Sequence, residues 1–426
     1  MTPAPRAADT AEVTSLAPRP VRSAEPSLLT AAALASEYAD RLVLGTVRDV
    51  HSAIAQRVWS VVNPSTAGAA RVAQLAHDAI STVVYGSVGV GLGTGTLALR
   101  AASVRAERHG VGPRLTGPAG EVVQSAVNGL IGDRLAADAS PMAIELGIRL
   151  GGRAVLVERE QLAAAYPDAT ERVAVLIHGL GENDTHWGFR RDQVGATYSD
   201  TLTALGWTPV VLRVNTGRSV RENGAALSGL LSDLVDEWPV DVRRIAFVGH
   251  SMGGLIARAA CAVRPVGPVG PAGPADPGDP YGGVGRPRPW TSLVSDLVCL
   301  GTPHLGADLA AGVAFGSRLL GVLPETAAFS RILDTRSAGI VDLTRGLGVD
   351  VAPLPGVRYR LVAATLGRST RHPLGDLLVR VPSATGQSGR RRALFPDAEV
   401  LHLPSTGHFG LLNHPDVHTA MRRWLR

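Results

Sequence analysis

The sequence predicts an α/β fold with a mainly parallel β-sheet. Three observations predict it: short apolar runs recur from about residue 140 onward, helical stretches separate them, and an alternating segment with a Gly-Gly turn precedes them. Runs that are apolar on both faces are typical of strands buried in a parallel sheet, and the helices supply the crossovers. The chain of 426 residues, 45% apolar and 19% charged, is long enough to bury a substantial core.

The first predicted strands form a β-hairpin. Apolar residues alternate with small or charged ones from Ile144 to Leu150, and Gly151 and Gly152 then lead into the segment 153–157. Period-two alternation around a Gly-Gly pair is typical of a tight hairpin. The segment 223–238 is predicted as one of the later helices. Six further strands are predicted within 171–180, 208–215, 243–250, 294–303, 358–366 and 398–405.

The composition of the amino-terminal part of the chain predicts two different regions. Residues 1–35 are rich in Pro, Ala and Ser, and we expect a disordered tail there. Residues 36–126 are expected to form a helical accessory region, because 42–62 has apolar residues at helical spacing. The run 27–38 resembles a weak signal peptide, but Glu25 lies directly beside it. The sequence therefore favours a cytoplasmic or membrane-associated protein over a secreted one.

The uncharged stretch 79–99 lies between Asp78 and Arg100 and is long enough to cross a bilayer. Its five glycines and several Ser and Thr residues lower both its hydrophobicity and its helix propensity. We therefore expect a buried element or one that contacts a membrane surface, rather than a span.

Charge and cysteine content exclude several classes of function. The net charge is +5, yet the chain has no lysine and its arginines are scattered, which does not indicate a nucleic-acid partner. The cluster Arg390, Arg391 and Arg392 is interpreted as a solvated loop. Two cysteines, Cys261 and Cys299, imply neither a disulfide framework nor a zinc site, and no metal or organic cofactor is expected.

A single serine carries the strongest chemical signal. Ser251 lies in the pattern Gly249-His250-Ser251-Met252-Gly253, directly after a predicted strand and before a predicted helix. At such an elbow glycines let strand and helix approach closely, and the hydroxyl is raised above the sheet. The alternative is a serine that only caps a helix. The presence of both flanking elements favours a nucleophile.

A serine nucleophile needs a histidine base and an orienting carboxylate later in the chain. His408 is the predicted base, because it lies in a Gly-flanked loop after the last predicted strand. Asp376 is the predicted acid, because it follows the next-to-last strand; a turn-capping Asp is the alternative. The competing histidines are His402, His414 and His418, and the competing acids are Asp334, Asp342, Asp350 and Asp397.

The chain also offers candidate donors for an oxyanion. One is the backbone N–H of Met252, directly after the nucleophile. The other is expected in the loop His178 to Trp187, where the N–H of Leu180 is the first choice and that of Gly181 the second.

Six segments together resemble a family. HGLGENDTHW, VNTGRSVRENG, GHSMGG, LGTPHLGADL, GDLLVRVPSATG and GHFGLLNHP occur in the order seen in bacterial lipases and esterases of the α/β-hydrolase superfamily with a GPI-inositol-deacylase-like hydrolase domain. The resemblance covers about 127–426. It implies an α/β-hydrolase fold and a Ser251, Asp376, His408 triad that hydrolyses carboxylic esters with a lipid-like acyl chain. His304, within the fourth segment, is interpreted as structural.

The predicted hydrolase domain, 127–426, contains two special segments. The Pro/Gly-rich stretch 264–290 is expected to be an extended surface insert, and 305–346 a cap or lid over the strand ends or an ordinary helix on the sheet flank. The expected partner is a small-molecule or lipid ester, and peripheral contact with a membrane surface is a further expectation. Two alternative functions stay open: an acyltransferase with the same triad, and a non-catalytic membrane-associated scaffold.

Overall fold

The computed structural model describes residues 70–109, 117–263, 289–307, 337–347, 351–371, 375–387 and 393–426, with isolated positions between 29 and 66. Most of the predicted tail, nearly all of the predicted insert, most of the predicted cap and the three-arginine cluster lie outside the described residues.

The elements follow each other in the order that the apolar runs predict. The helices are α1 (Arg71–His109), α2 (Gly117–Ala137), α3 (Arg159–Ala165), α4 (Arg191–Val194), α5 (Tyr198–Ala204), α6 (Val220–Glu237), α7 (Met252–Ala262), α8 (Ala338–Arg345), α9 (Val381–Ala384) and α10 (Pro415–Trp424). The strands are β1 (Gly147–Leu150), β2 (Arg153–Val155), β3 (Arg172–Ile177), β4 (Thr208–Arg213), β5 (Arg244–His250), β6 (Val294–Leu300), β7 (Arg358–Thr365) and β8 (Glu399–Pro404). Short 3-10 helices occupy Asp184–Gly188, Pro289–Leu293 and His408–Leu411.

The strands form one eight-stranded sheet in the order β2-β1-β4-β3-β5-β6-β7-β8. Strand β1 pairs antiparallel with β2 and β4, with Ile148 opposite Val155 in the hairpin, and the remaining neighbours are parallel. The predicted hairpin and the predicted mainly parallel sheet are both confirmed. The protein has the α/β-hydrolase fold.

Side chains alternate across the sheet and form two cores. On β3, Val173, Val175 and Ile177 pack in one core with residues of α6 and α7, whereas Ala174 and Leu176 pack in the other with residues of α5 and α10. This alternation is the period-two geometry of a strand, with both faces covered. Both faces of the sheet are buried. A functional site can therefore form at the edge where the carboxyl ends of the strands lie.

Helix α6 begins earlier than the apolar pattern predicts. The side chain of Ser219 accepts a hydrogen bond from the N–H of Glu222, and Glu222 accepts one from the N–H of Ser219. This reciprocal capping box fixes the start of the helix at Val220, three residues before the predicted start at Asn223.

The amino-terminal region contains a long, exposed helix. Val83, Val90 and Leu97 on α1 are 69%, 70% and 70% exposed. The expectation that 79–99 is a buried element is therefore wrong for this face. Other positions are covered: Thr96 is buried, and the ring of Tyr85 lies 5.6 Å from that of His51. Within the described part of the chain, Arg71–Arg105 is the one helical stretch that is long and apolar enough to cross a membrane.

Helix α2 joins the accessory region to the sheet. This helix runs through residues 126 and 127, between which the sequence predicts a domain boundary. The domain limits stay a prediction. The buried side chain of Asn128 accepts a hydrogen bond from the N–H of Ile144 and donates one to the carbonyl of Met142. These bonds fix α2 to the segment that leads into the hairpin.

Candidate active site

Ser251 lies at a strained turn between β5 and α7. Its backbone has φ 51° and ψ −120°, in a region that non-glycine residues rarely adopt. The N–H of Ser251 donates to the carbonyl of Leu300 at 2.8 Å, which fixes the turn to the end of β6. The side chain makes no cap hydrogen bond to α7. The geometry is that of a nucleophile elbow rather than of a helix N-cap.

Glycines on both sides of the serine permit this turn. A Cβ atom on Gly253 would clash with the carbonyl oxygen of Ile177 on β3, and one on Gly249 would clash with the backbone of Gly254. Strand and helix can therefore approach only where side chains are absent. The spacing seen in the sequence thus has a steric cause.

His408 and Asp376 meet at the same edge of the sheet. His408 follows β8 and Asp376 follows β7, and Nδ1 of His408 lies 2.8 Å from Oδ2 of Asp376. Both side chains are buried. Burial lowers the pKa of His408, but the charge and hydrogen bond of Asp376 outweigh this effect, and the net pKa is raised. The carboxylate therefore holds one tautomer of the ring and favours its protonation.

The backbone fixes the carboxylate of Asp376. Its Oδ1 accepts hydrogen bonds from the N–H groups of Leu378 and Val379, at 3.0 and 2.8 Å. Leu377, between Asp376 and Leu378, has φ 93°, a conformation that is costly for a branched side chain. The turn therefore carries strain while it directs the other oxygen, Oδ2, toward His408.

Ser251 and His408 both lie near the carboxyl end of β6, but no hydrogen bond joins them. Nε2 of His408 is buried and has no hydrogen-bond partner in the described chain. Leu300 accepts the amide of Ser251, and a Cβ on the next residue, Gly301, would lie 3.1 Å from Cε1 of His408. Hydrogen bonds in an active site without ligand are often long and tighten with substrate. The unpaired Nε2 is thus the atom available to the serine.

The competing histidines have other partners. Nε2 of His402 lies 2.9 Å from the hydroxyl of Thr365, and Nδ1 of His418 lies 2.7 Å from that of Thr201. His414 caps α10 by accepting from the N–H of Asp416. None of these rings contacts an acid in the way that His408 contacts Asp376.

His304 is buried beside Arg258. Its Nδ1 accepts a hydrogen bond from the guanidinium at 3.2 Å, and its ring packs against Phe395. Burial, together with the charge of Arg258, lowers the pKa of His304 well below its ordinary value. A neutral ring in this position agrees with a structural role.

The competing acids lie elsewhere. Asp342 is part of α8, where its carboxylate accepts from the N–H of Val220. Asp397 lies in the turn before β8. Asp334 and Asp350 lie outside the described residues. The described part of the predicted cap, helix α8, packs against the core through Leu343.

The two candidate oxyanion donors are amides that donate no hydrogen bond within the described residues: those of Leu180 and Met252. The second choice, Gly181, donates its N–H to the hydroxyl of Thr216 at 3.0 Å. Of these two neighbouring amides, that of Leu180 is the one without an acceptor among the described residues. Helix α2 supports the loop from behind, since a Cβ on Gly129 would lie 2.9 Å from Cα of Gly181.

Two buried residues beside the site were not predicted from the sequence as site residues. The side chains of Glu182 and His250 are in hydrogen-bond contact, with Nδ1 of His250 2.8 Å from Oε1 of Glu182. His250 is a polar residue at the end of the apolar strand β5, and Glu182 lies in the loop that follows β3; this placement is the signal that could have singled them out. Their pairing depends on two strand-end loops meeting in space, which the local pattern does not show.

A comparison of the sequence with known families covers only part of the site. A family model described as "Putative serine esterase (DUF676)" matches residues 168–345. The match contains Ser251 and the loop of Leu180, and it ends before Asp376 and His408. Among curated proteins, no sequence matches the chain.

Solved structures similar to the chain include three described as lipases or esterases. The mature form of Bacillus licheniformis lipase BlEst2 is 18% identical, with 59% of this chain and 91% of that chain covered and a TM-score of 0.37. The Pyrococcus furiosus esterase PF2001 is 15% identical, with coverage of 60% and 83% and a TM-score of 0.37. A lipase-esterase related protein from Clostridium acetobutylicum is 12% identical, with coverage of 60% and 95% and a TM-score of 0.34.

The fold rests on the strand order and the strand registers, and the likeness to a family rests on the sequence match. That match supports ester hydrolysis in general. It covers less than half of the chain, and by it residues 168–345 are similar to the family described as "Putative serine esterase (DUF676)".

Proposed function

We propose that the protein hydrolyses carboxylic esters through an acyl-enzyme, with Ser251 as nucleophile, His408 as base and Asp376 as the orienting acid. The observation that carries this proposal is the buried hydrogen bond between Nδ1 of His408 and Asp376, which leaves Nε2 unpaired. Further support comes from the strained turn at Ser251 and from the amides of Leu180 and Met252, which donate no hydrogen bond within the described residues.

Each group has a defined part in the reaction. Nε2 of His408 accepts the proton of the Ser251 hydroxyl as its oxygen attacks the ester carbonyl carbon. The carbonyl oxygen gains negative charge, and the N–H groups of Leu180 and Met252 donate to it. His408 then gives its proton to the leaving alcohol. In the second half, His408 accepts a proton from water as the water oxygen attacks the acyl carbon. It then returns this proton to Oγ of Ser251 as the ester bond to the serine breaks and the carboxylic acid leaves.

The proposed substrate has a lipid-like acyl chain, and the proposed site of action is a membrane surface. Support comes from α1, where Val83, Val90 and Leu97 recur every seven residues and are exposed. The uncharged segment 79–99 would extend about 30 Å as a helix, close to the thickness of the hydrocarbon core. A helix of this kind can hold the enzyme at an interface where lipid esters are concentrated.

The direct test is hydrolysis of p-nitrophenyl esters, from acetate to palmitate, by the wild type and Ser251→Ala. The wild type should release p-nitrophenol and the variant should not, with the highest kcat/KM for the longer chains. Equal rates for the two proteins would remove the enzyme assignment. A wild type that is active only on acetate would remove the lipid-like substrate. Addition of an alcohol acceptor separates hydrolysis from acyl transfer, because a transferase would form a new ester in place of the free acid.

A further inference from the structure

A second buried acid and histidine lie beside the proposed triad. Nδ1 of His250 lies 2.8 Å from Oε1 and 3.0 Å from Oε2 of Glu182. His250 is fully buried, and Glu182 is 4% exposed. Because ions are costly to bury without compensation, such a pair needs hydrogen bonds on every side.

Glu182 connects this pair to the loop of the proposed oxyanion donor. Its Oε2 accepts a hydrogen bond from the N–H of Gly179 at 2.8 Å. Gly179 directly precedes Leu180 and packs against the nucleophile, since a Cβ placed on it would lie 3.0 Å from Cβ of Ser251. The carboxylate therefore fixes the loop where it passes the serine.

His250 connects the pair to the proposed base. Its Nε2 lies 3.3 Å from the carbonyl oxygen of His408, and the two rings lie 4.8 Å apart between centroids. His250 also precedes Ser251 in the chain. The side chain of His250 thus contacts the backbone of His408, the proposed base, and its own backbone is bonded to Ser251, the proposed nucleophile.

Both nitrogens of His250 face oxygen atoms: Nδ1 faces the carboxylate of Glu182, and Nε2 faces the backbone carbonyl of His408. Burial raises the pKa of Glu182, but the charge and hydrogen bond of His250 and the amide of Gly179 lower it more, to about 2. Glu182 is therefore ionised at neutral pH.

We propose that Glu182 and His250 form a positioning pair, which holds the Leu180 loop and the backbone of His408 in fixed geometry around Ser251. The inference rests on the proposed ester hydrolysis. The pair acts through Leu180 and His408 and does not touch the substrate. A displacement of about 1 Å at a catalytic group can cost on the order of 10²-fold in rate, so the pair bears directly on kcat.

Glu182→Gln tests the pair, because it removes the charge and keeps the size of the side chain. We expect kcat for a short p-nitrophenyl ester to fall on the order of 10²-fold, with little change in KM, because the displaced donors act on the transition state. Glu182→Asp keeps the charge and should restore part of kcat.

Asp184→Asn is the matched control. Asp184 lies two residues away and pairs with Arg213, without a contact to His250 or His408. This variant should lower the thermal midpoint and keep the wild-type kcat. Equal losses of kcat in Glu182→Gln and Asp184→Asn would show a merely structural effect and overturn the proposal.

Wild-type kcat in Glu182→Gln, while Ser251→Ala stays inactive, would overturn the positioning pair. Activity in Ser251→Ala would contradict the proposed function instead, so the two failures are distinguishable.

Discussion

Asp376 and His408 are joined twice, once through their side chains and once through their backbones. Oδ2 of Asp376 lies 2.8 Å from Nδ1 of His408, and the N–H of His408 donates to the carbonyl of Asp376 at 3.1 Å. The second bond fixes the start of the His408 loop next to the acid. The ring therefore keeps its orientation without substrate.

Replacement of the acid should reduce catalysis without removing the nucleophile. Asp376→Asn keeps the shape of the side chain but loses the charge that stabilises an imidazolium and selects the tautomer. We expect kcat to fall about 10³- to 10⁴-fold, the scale known for the serine-protease triad. The measurement is steady-state hydrolysis of a p-nitrophenyl ester. Asp397→Asn, at an acid in the turn before β8, should keep wild-type kcat, and a loss equal to that of Asp376→Asn would contradict the assignment.

The pH dependence of kcat/KM should report His408. The ring must be neutral to act as base, and its pKa is raised above the ordinary 6.5. Activity should therefore rise with pH, with an inflection above 6.5. In Asp376→Asn, burial should dominate and move the inflection below 6.5. Rates measured from pH 5 to pH 9 test this, and an inflection that stays in place in the variant would disagree with the proposed pair.

The same pKa shift predicts how His408 contributes to stability. Its folded-state pKa is raised, so its contribution is fully present below the unfolded-state pKa and is lost as pH rises through the folded-state pKa. The difference in unfolding free energy between the wild type and His408→Gln should therefore shrink as pH rises through that range. Urea unfolding at several pH values measures it; a difference that grows with pH would have the wrong sign.

A methyl group at the elbow should destabilise the fold. In Gly253→Ala the new Cβ clashes with backbone oxygen of Ile177, which cannot move without shifting β3. We expect a loss of about 1–3 kcal/mol in unfolding free energy. Gly229→Ala in α6 is the control: no atom lies within 4 Å of its Cβ position, and alanine should gain about 0.5–1 kcal/mol there. Thermal or urea unfolding compares them, and similar effects of both changes would contradict the steric explanation.

The exposed face of α1 should bind lipid. Val83→Ser, Val90→Ser and Leu97→Ser combined should weaken flotation with phosphatidylcholine vesicles on the order of 10²-fold, because three apolar side chains no longer enter the bilayer. Hydrolysis of p-nitrophenyl acetate should be unchanged. Val240→Ser, at an exposed valine of the hydrolase part, is the matched control. Equal flotation of wild type and triple variant would exclude this face as the membrane contact.

Much of the fold was predictable, because its signals are local. Apolar runs gave the strands, and the hairpin followed from Gly151 and Gly152. The placement of Ser251 between a strand and a helix indicated the elbow, and the parallel direction of β5, β7 and β8 implied that residues after each would meet at one edge.

The contacts between distant loops were not predictable. Nothing near Glu182 in the sequence indicates His250, and nothing in α2 indicates that Gly129 packs behind the Leu180 loop. The choice between Leu180 and Gly181 also needed the structure, because it depends on the hydroxyl of Thr216. The composition of 79–99 gave its apolar character but could not show which face other residues cover.

The most direct measurement is identification of the residue that forms the covalent intermediate. The protein would be incubated with diethyl p-nitrophenyl phosphate, which transfers a phosphoryl group to activated serines, and then digested and mapped by mass spectrometry. We predict one adduct per chain, on Ser251, formed together with loss of esterase activity and absent in His408→Gln. An adduct on another serine, or full inactivation with Ser251 unmodified, would contradict the proposed nucleophile.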